Sequence, residues 1–182
     1  MRHLINYIIE KFEGNKAYIM TGLPGSGKST WIKQNIEDKV VVISKDLIRQ
    51  DMGIITDQDV KAIGDKKQEK EVNRKQEEQI RQAIIDNKDI VIDNTNIGKS
   101  RKHLIDILRK HKYYIIGVNI KTPYEICYNR RKDCIPEKIM KQMDDSMEFM
   151  TNKDCDKIIN VEYNKNETYK YLHNRIHSQE KT

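Results

Sequence analysis

Residues 22–29 read Gly22-Leu23-Pro24-Gly25-Ser26-Gly27-Lys28-Ser29, with Thr30 next. The spacing is G-x-x-x-x-G-K-[ST], that of a phosphate-binding P-loop. Backbone N–H groups of such a turn, and of the helix it opens, converge on phosphate oxygens. Glycine serves where the backbone takes φ > 0 or comes close to the ligand. In this reading Lys28 reaches the β- and γ-phosphates of ATP, and the Ser29 hydroxyl ligates Mg²⁺. At average composition the fixed positions match by accident in such a chain on the order of 1% of the time. The flanks decide against accident: apolar Ala17-Tyr18-Ile19-Met20 precedes the loop, and 29–37 can be helical. The bland alternative is a glycine turn between a strand and a helix.

Outward from the loop, short apolar runs alternate with helical patterns. Strand signals fall at 16–21, at Val40-Val41-Val42-Ile43, at Ile90-Val91-Ile92, at 113–120 and, more weakly, at 158–161. Continuous β-branched runs suit strands buried on both faces of a parallel sheet. Helical spacing marks 2–12, 65–87, 99–111 and 136–150, the last with Pro136 at its first position, and a final helix at about 166–178. The alternation predicts an α/β fold: a three-layer sandwich with a mainly parallel central sheet and helices on both faces. Residues 51–65, with Gly53 and Gly64, are the best candidate for a mobile loop.

Ligands of such sheets bind beyond the carboxyl ends of the strands. After strand two comes Ser44-Lys45-Asp46-Leu47-Ile48-Arg49, and after strand three Asp93-Asn94-Thr95-Asn96. Asp46 and Asp93 therefore share the rim where a triphosphate would lie. Either is a candidate to orient or deprotonate an attacking hydroxyl. Asp93 also has the form of a Walker B acid, an apolar strand ending in Asp that holds Mg²⁺ or its waters. Asp46 taken alone fits a helix N-cap. Arg49, one turn on, suits either a clamp on a substrate phosphate or a partner for the Asp46 carboxylate.

Residues 128–136 place Arg130, Arg131 and Lys132 where a helix ends and a loop starts. Arginines on a closing lid stabilise charge that develops on phosphoryl oxygens; the alternative is a solvated basic turn. Met140, Met143, Met147 and Met150 read as a packed helix face. His173 and His177 stand four apart, but no third metal ligand accompanies them. Lys99, Arg101, Lys102, Arg109, Lys110 and Lys112 mark a helix that suits either a nucleic-acid backbone or solvent.

At 182 residues the chain is expected to form one domain over 1–182, with an N-terminal helix in 1–14, a lid at 128–136 and a helical tail at 163–182. With 37% hydrophobic and 34% charged residues it is expected to be a soluble protein with a heavily charged surface. The net charge of +6 suits a polyanionic partner, though ATP alone is enough to explain it. Three cysteines without C-x-x-C spacing disfavour a disulfide framework or zinc ribbon and fit a reducing cytoplasm. No apolar run reaches the length of a membrane span, so no membrane association is expected. Oligomeric state is not fixed by the sequence.

Four segments come in one order: GLPGSGKSTW (22–31), SKDLIRQ (44–50), DNTN (93–96) and the Arg-rich stretch ending Ile135-Pro136. Together they resemble the kinase domain of phage-type polynucleotide 5′-kinases, over roughly residues 17–150. The resemblance implies a P-loop kinase-like fold and transfer of the ATP γ-phosphate to a 5′-hydroxyl of DNA or RNA, in a host cytoplasm if the gene is a phage's. Asp46 would be the general base and Arg49 its neighbour in the acceptor site. Asp93 would organise the active site, and Arg130 or Arg131 would be the lid arginine. The cofactors would be ATP and Mg²⁺. The family's D-x-D-G-T phosphatase motif is absent, and its acidic doublet is here Asp46-Leu47. Other hydroxyl acceptors stay open: a hydroxymethylated base in DNA, a nucleoside or a small metabolite. So does a non-kinase ATPase or binding module.

Overall fold

The computed structural model describes residues 14–54, 66–95 and 98–164, the Lys99 side chain excepted. The expected helices at 2–12 and 166–178, residues 55–65 of the expected loop, Asn96, His173 and His177 lie outside the described residues. The strands are β1 (Lys16–Thr21), β2 (Val41–Ile43), β3 (Ile90–Ile92), β4 (Tyr114–Lys121) and β5 (Lys157–Glu162). They form one sheet in the order β2-β3-β1-β4-β5, and every neighbouring pair is parallel. The helices are α1 (Lys28–Asn35), α2 (Lys45–Asp51), α3 (Lys66–Ile85), α4 (Gly98–Lys110), α5 (Tyr124–Arg131) and α6 (Glu137–Asp145).

Successive residues of a strand point to opposite faces, and the core divides accordingly. Ala17 and Ile19 of β1 pack with Ile80 and Ala83 of α3 and Leu104 and Leu108 of α4. Met20, Val91 and Val118 pack on the other face against Trp31 and Ile32 of α1. Leu23, Cys127 and Met140 form a smaller cluster that ties the P-loop to α5 and α6. This is the three-layer sandwich expected, with a sheet that is wholly parallel.

Three details differ from the sequence expectation. The run at 40–43 is the sheet's edge strand: Val42 is 39% exposed, so only one face of it is buried. Pro136 stands just before α6, which stops at Asp145. Met140, Met143 and Met147 pack beside α5, whereas Met150 lies past the helix in the main core, so the four do not line one helical face. No helix among the described residues is long and apolar enough to cross a membrane.

Candidate active site

β1 delivers the P-loop at its carboxyl end, and close approach explains its glycines. A Cβ on Gly22 would stand 2.7 Å from the Ile120 carbonyl oxygen, and one on Gly25 would stand 2.9 Å from that of Cys127. Gly25 and Gly27 also have φ of +80° and +105°, where L side chains are strained. Gly27 is the residue from which α1 starts. Two bonds from outside the motif fix the loop: the Thr122 hydroxyl donates to the Ser26 carbonyl at 2.7 Å, and Arg130 donates to the Gly25 carbonyl at 2.9 Å. The Leu23 side chain is buried as an anchor, while Pro24 and Thr30 are half-buried on the loop and the first turn of α1.

Lys28 Nζ donates to the Gly22 and Leu23 carbonyls, both at 2.9 Å. Burial pushes its ammonium below the ordinary lysine range, while Asp93 and Asp46 pull the other way. The Ser29 hydroxyl donates to Asp93 Oδ2 at 2.7 Å. Burial raises the Asp93 carboxyl above its ordinary value, opposed by the Ser29 bond and by Lys28; the charge of Asp46 adds to the rise. Lys28, Ser29, Asp46 and Asp93 thus interact in one place, as the strand-end positions predict. The Ser29 and Asp93 oxygens are hard donors suited to Mg²⁺, which takes few protein ligands and keeps waters or phosphate oxygens for the rest. The metal fits this pair.

Asp46 lies in the first turn of α2 with a side chain 62% exposed, and Arg49 Nη1 donates to its Oδ1 at 2.7 Å. α2 is braced from β3: Asn94 Oδ1 accepts the Lys45 backbone N–H at 3.0 Å. Arg49 also pairs with Glu69 of α3. Arg49 is thus paired with the Asp46 carboxylate, one of the two arrangements its spacing allows.

The two arginines expected of a lid, Arg130 and Arg131, are placed differently. Arg130, besides its bond to Gly25, has its guanidinium 5.8 Å from the Tyr163 ring centre. Arg131 packs its Cγ near Gly25 and lies close enough to Lys28 to oppose its charge. Both stand at the last turn of α5, where the sequence places them. The basic face expected on α4 is reduced. Arg101 is buried and paired with Glu148, and Arg109 pairs with Asp156 at 3.5 Å. Arg109, Lys102, Lys110 and Lys112 remain exposed.

The sequence alone assigns no role to Asn94, Glu69, Thr122 or Tyr163. Thr122 follows β4 directly, a strand-end position like those of Asp46 and Asp93; Glu69 lies in the middle of a charged stretch and carries no local signal.

Residues 18–149 match the AAA domain family. The chain belongs to this family. Among solved structures, a protein from Chloroflexus aurantiacus J-10-fl superposes with a TM-score of 0.61 at 11% identity, over 89% of this chain and 98% of that one. A chain of the Pnkp1/Rnl/Hen1 RNA repair complex gives 0.58 at 20% identity, over 76% of this chain but only 48% of that one. Shikimate kinase from Acinetobacter baumannii gives 0.51 at 15% identity, over 95% and 99%. At these identities the likeness is one of fold: the P-loop kinase-like α/β fold.

Proposed function

We propose that this family member is an ATP-dependent kinase that transfers the γ-phosphate to the 5′-hydroxyl end of DNA or RNA. The observation that carries the reading is the position of Asp46. Its carboxylate is open to an acceptor, held by Arg49, and on the same rim as Lys28, Ser29 and Asp93. An enzyme that only hydrolyses ATP has no evident need of that arrangement. The order of the four motif segments supports a polynucleotide acceptor, and the net charge of +6 is compatible with it.

In this mechanism the P-loop amides and Lys28 bind the β- and γ-phosphates. Ser29 and Asp93 would hold Mg²⁺, which supplies charge neutralisation between the phosphates when bound. Asp46 accepts the proton of the acceptor hydroxyl as its oxygen attacks the γ-phosphorus and the bond to the β-γ bridging oxygen breaks. Arg131, whose charge is felt at Lys28, is the candidate lid cation, while Arg130 steadies the loop through the Gly25 carbonyl.

A second reading is a kinase for another hydroxyl: a hydroxymethylated base, a nucleoside or a small metabolite. One observation favours it. Arg49 and Arg101 are both sheltered and engaged with carboxylates of the chain itself, which thins the cationic surface for a phosphate backbone. The test offers γ-labelled ATP with 5′-OH DNA, 5′-OH RNA, hydroxymethylated duplex and nucleosides. Label on a 5′-OH oligonucleotide is expected; label on another acceptor alone overturns the first reading, and free phosphate alone overturns both.

A further inference from the structure

Arg49 is tied from two sides. Its Nε and Nη2 donate to Glu69 Oε1 and Oε2 at 2.9 and 3.0 Å, and its Nη1 donates to Asp46 Oδ1 at 2.7 Å. Glu69 belongs to the first turn of α3, twenty residues further along the chain. Side-chain exposure rises from 13% at Arg49 through 28% at Glu69 to 62% at Asp46. The guanidinium is therefore fastened on its sheltered side and presents its remaining bond to the open carboxylate. A fork-to-fork pair fixes the plane of the guanidinium as well as its position.

We propose that Glu69 is a positioning residue that sets Arg49, and through it the Asp46 carboxylate, in the orientation that the acceptor hydroxyl meets. This rests on the kinase reading of Asp46. Glu69 touches no reacting atom in that scheme. Without it Arg49 is a long side chain held only by an exposed i,i+3 pair, which by itself is worth little. Asp46 then loses its fixed partner, and misplacing a reacting group by about 1 Å costs about a hundredfold in rate. The P-loop bonds of Lys28 and Ser29 do not involve Glu69, so ATP binding is expected to be left in place.

The test measures phosphoryl transfer by the full chain, with labelled ATP and a 5′-OH oligonucleotide, for Glu69→Ala and Glu69→Gln in the parent and in an Arg49→Ala background. Glu69→Ala is expected to lower kcat by about 30- to 100-fold, with the KM for ATP changed less than about threefold. Glu69→Gln keeps one carbonyl acceptor and loses less. In the Arg49→Ala background the same substitution costs less than about twofold, because the two residues act as one unit. An undiminished loss in that background, or a change confined to the KM for ATP, overturns the proposal. A second measurement needs no acceptor. The Arg49 Nε–H resonance of the ¹⁵N-labelled protein is expected to exchange slowly, to persist in Asp46→Asn and to be lost in Glu69→Ala; persistence in Glu69→Ala overturns the proposal. Failure of the acceptor reading appears in the unsubstituted chain, as an absence of labelled oligonucleotide, whereas failure of the Glu69 proposal appears only in the variants.

Discussion

At the scale of single residues, Asp93 holds a costly position. Burial raises its carboxyl above the ordinary range despite the Ser29 bond and the nearby Lys28. Between the unfolded value and the raised folded one, the native state binds more protons than the unfolded state. Stability contributed at this site is therefore lost as pH rises through that window, and the penalty is complete above it. Asp93→Asn removes the charge, so at pH 7–8 the ATP-free protein should be more stable than the parent, in the way functional sites trade stability for activity. The gain should shrink as pH falls through the window and be absent below the usual carboxylate range. Urea unfolding at a series of pH values checks this, and a less stable Asp93→Asn at neutral pH contradicts it. Turnover should fall in the same variant, because the pair with Ser29 is then a poorer metal site.

At the scale of elements, the brace between β3 and α2 sets where Asp46 and Arg49 stand. Asn94→Ala leaves the Lys45 N–H without its acceptor and should cost about 1 kcal/mol, the usual worth of a side-chain bond to a helix's first-turn N–H. It should lower kcat more than it raises the KM for ATP; denaturation together with steady-state kinetics measures both. Asn94→Asp, which keeps the acceptor oxygen, should retain most of the stability. Much of this level is legible in the sequence. Apolar runs beginning or ending at Ala17, Ile90 and Ile120 mark strands, and the rule of strand ends brings Asp46 and Asp93 to one rim because parallel strands all point their carboxyl ends the same way. What was not legible depends on partners far apart in the chain. Glu69 meets Arg49 only because α3 packs beside α2, and Arg101 is withdrawn from the surface only because Glu148 returns to it from beyond α6. Composition at 40–43 signals a strand but not its place in the sheet, so the exposure of Val42 at the edge had no precursor in the run itself.

For the whole molecule, charge and ligand linkage separate the acceptor classes. A single-stranded polynucleotide held by several cations binds more weakly as salt rises, with a slope of about −0.7 per phosphate contact in log affinity against log salt. The KM for a 5′-OH oligonucleotide should therefore climb steeply between 50 and 200 mM salt, while that for ATP changes far less; a flat oligonucleotide KM speaks for the small-acceptor reading. Ligand that binds only the native state stabilises it, by about 2.7 kcal/mol at a hundred times its Kd. Thermal unfolding should thus shift upward with ATP and Mg²⁺, and the shift should be lost in Lys28→Ala, which removes the cation from the centre of the P-loop.

Asp46 is the residue proposed to make this site a kinase, and the fate of the label from γ-labelled ATP decides the matter. In the unsubstituted chain the label should pass to the 5′-OH oligonucleotide. In Asp46→Asn the transfer rate should fall by about 10²- to 10⁴-fold, the usual contribution of a general base, with ATP affinity by calorimetry held within about threefold. Label appearing only as inorganic phosphate in the unsubstituted chain, or an equal loss of ATP binding in Asp46→Asn, would contradict the account.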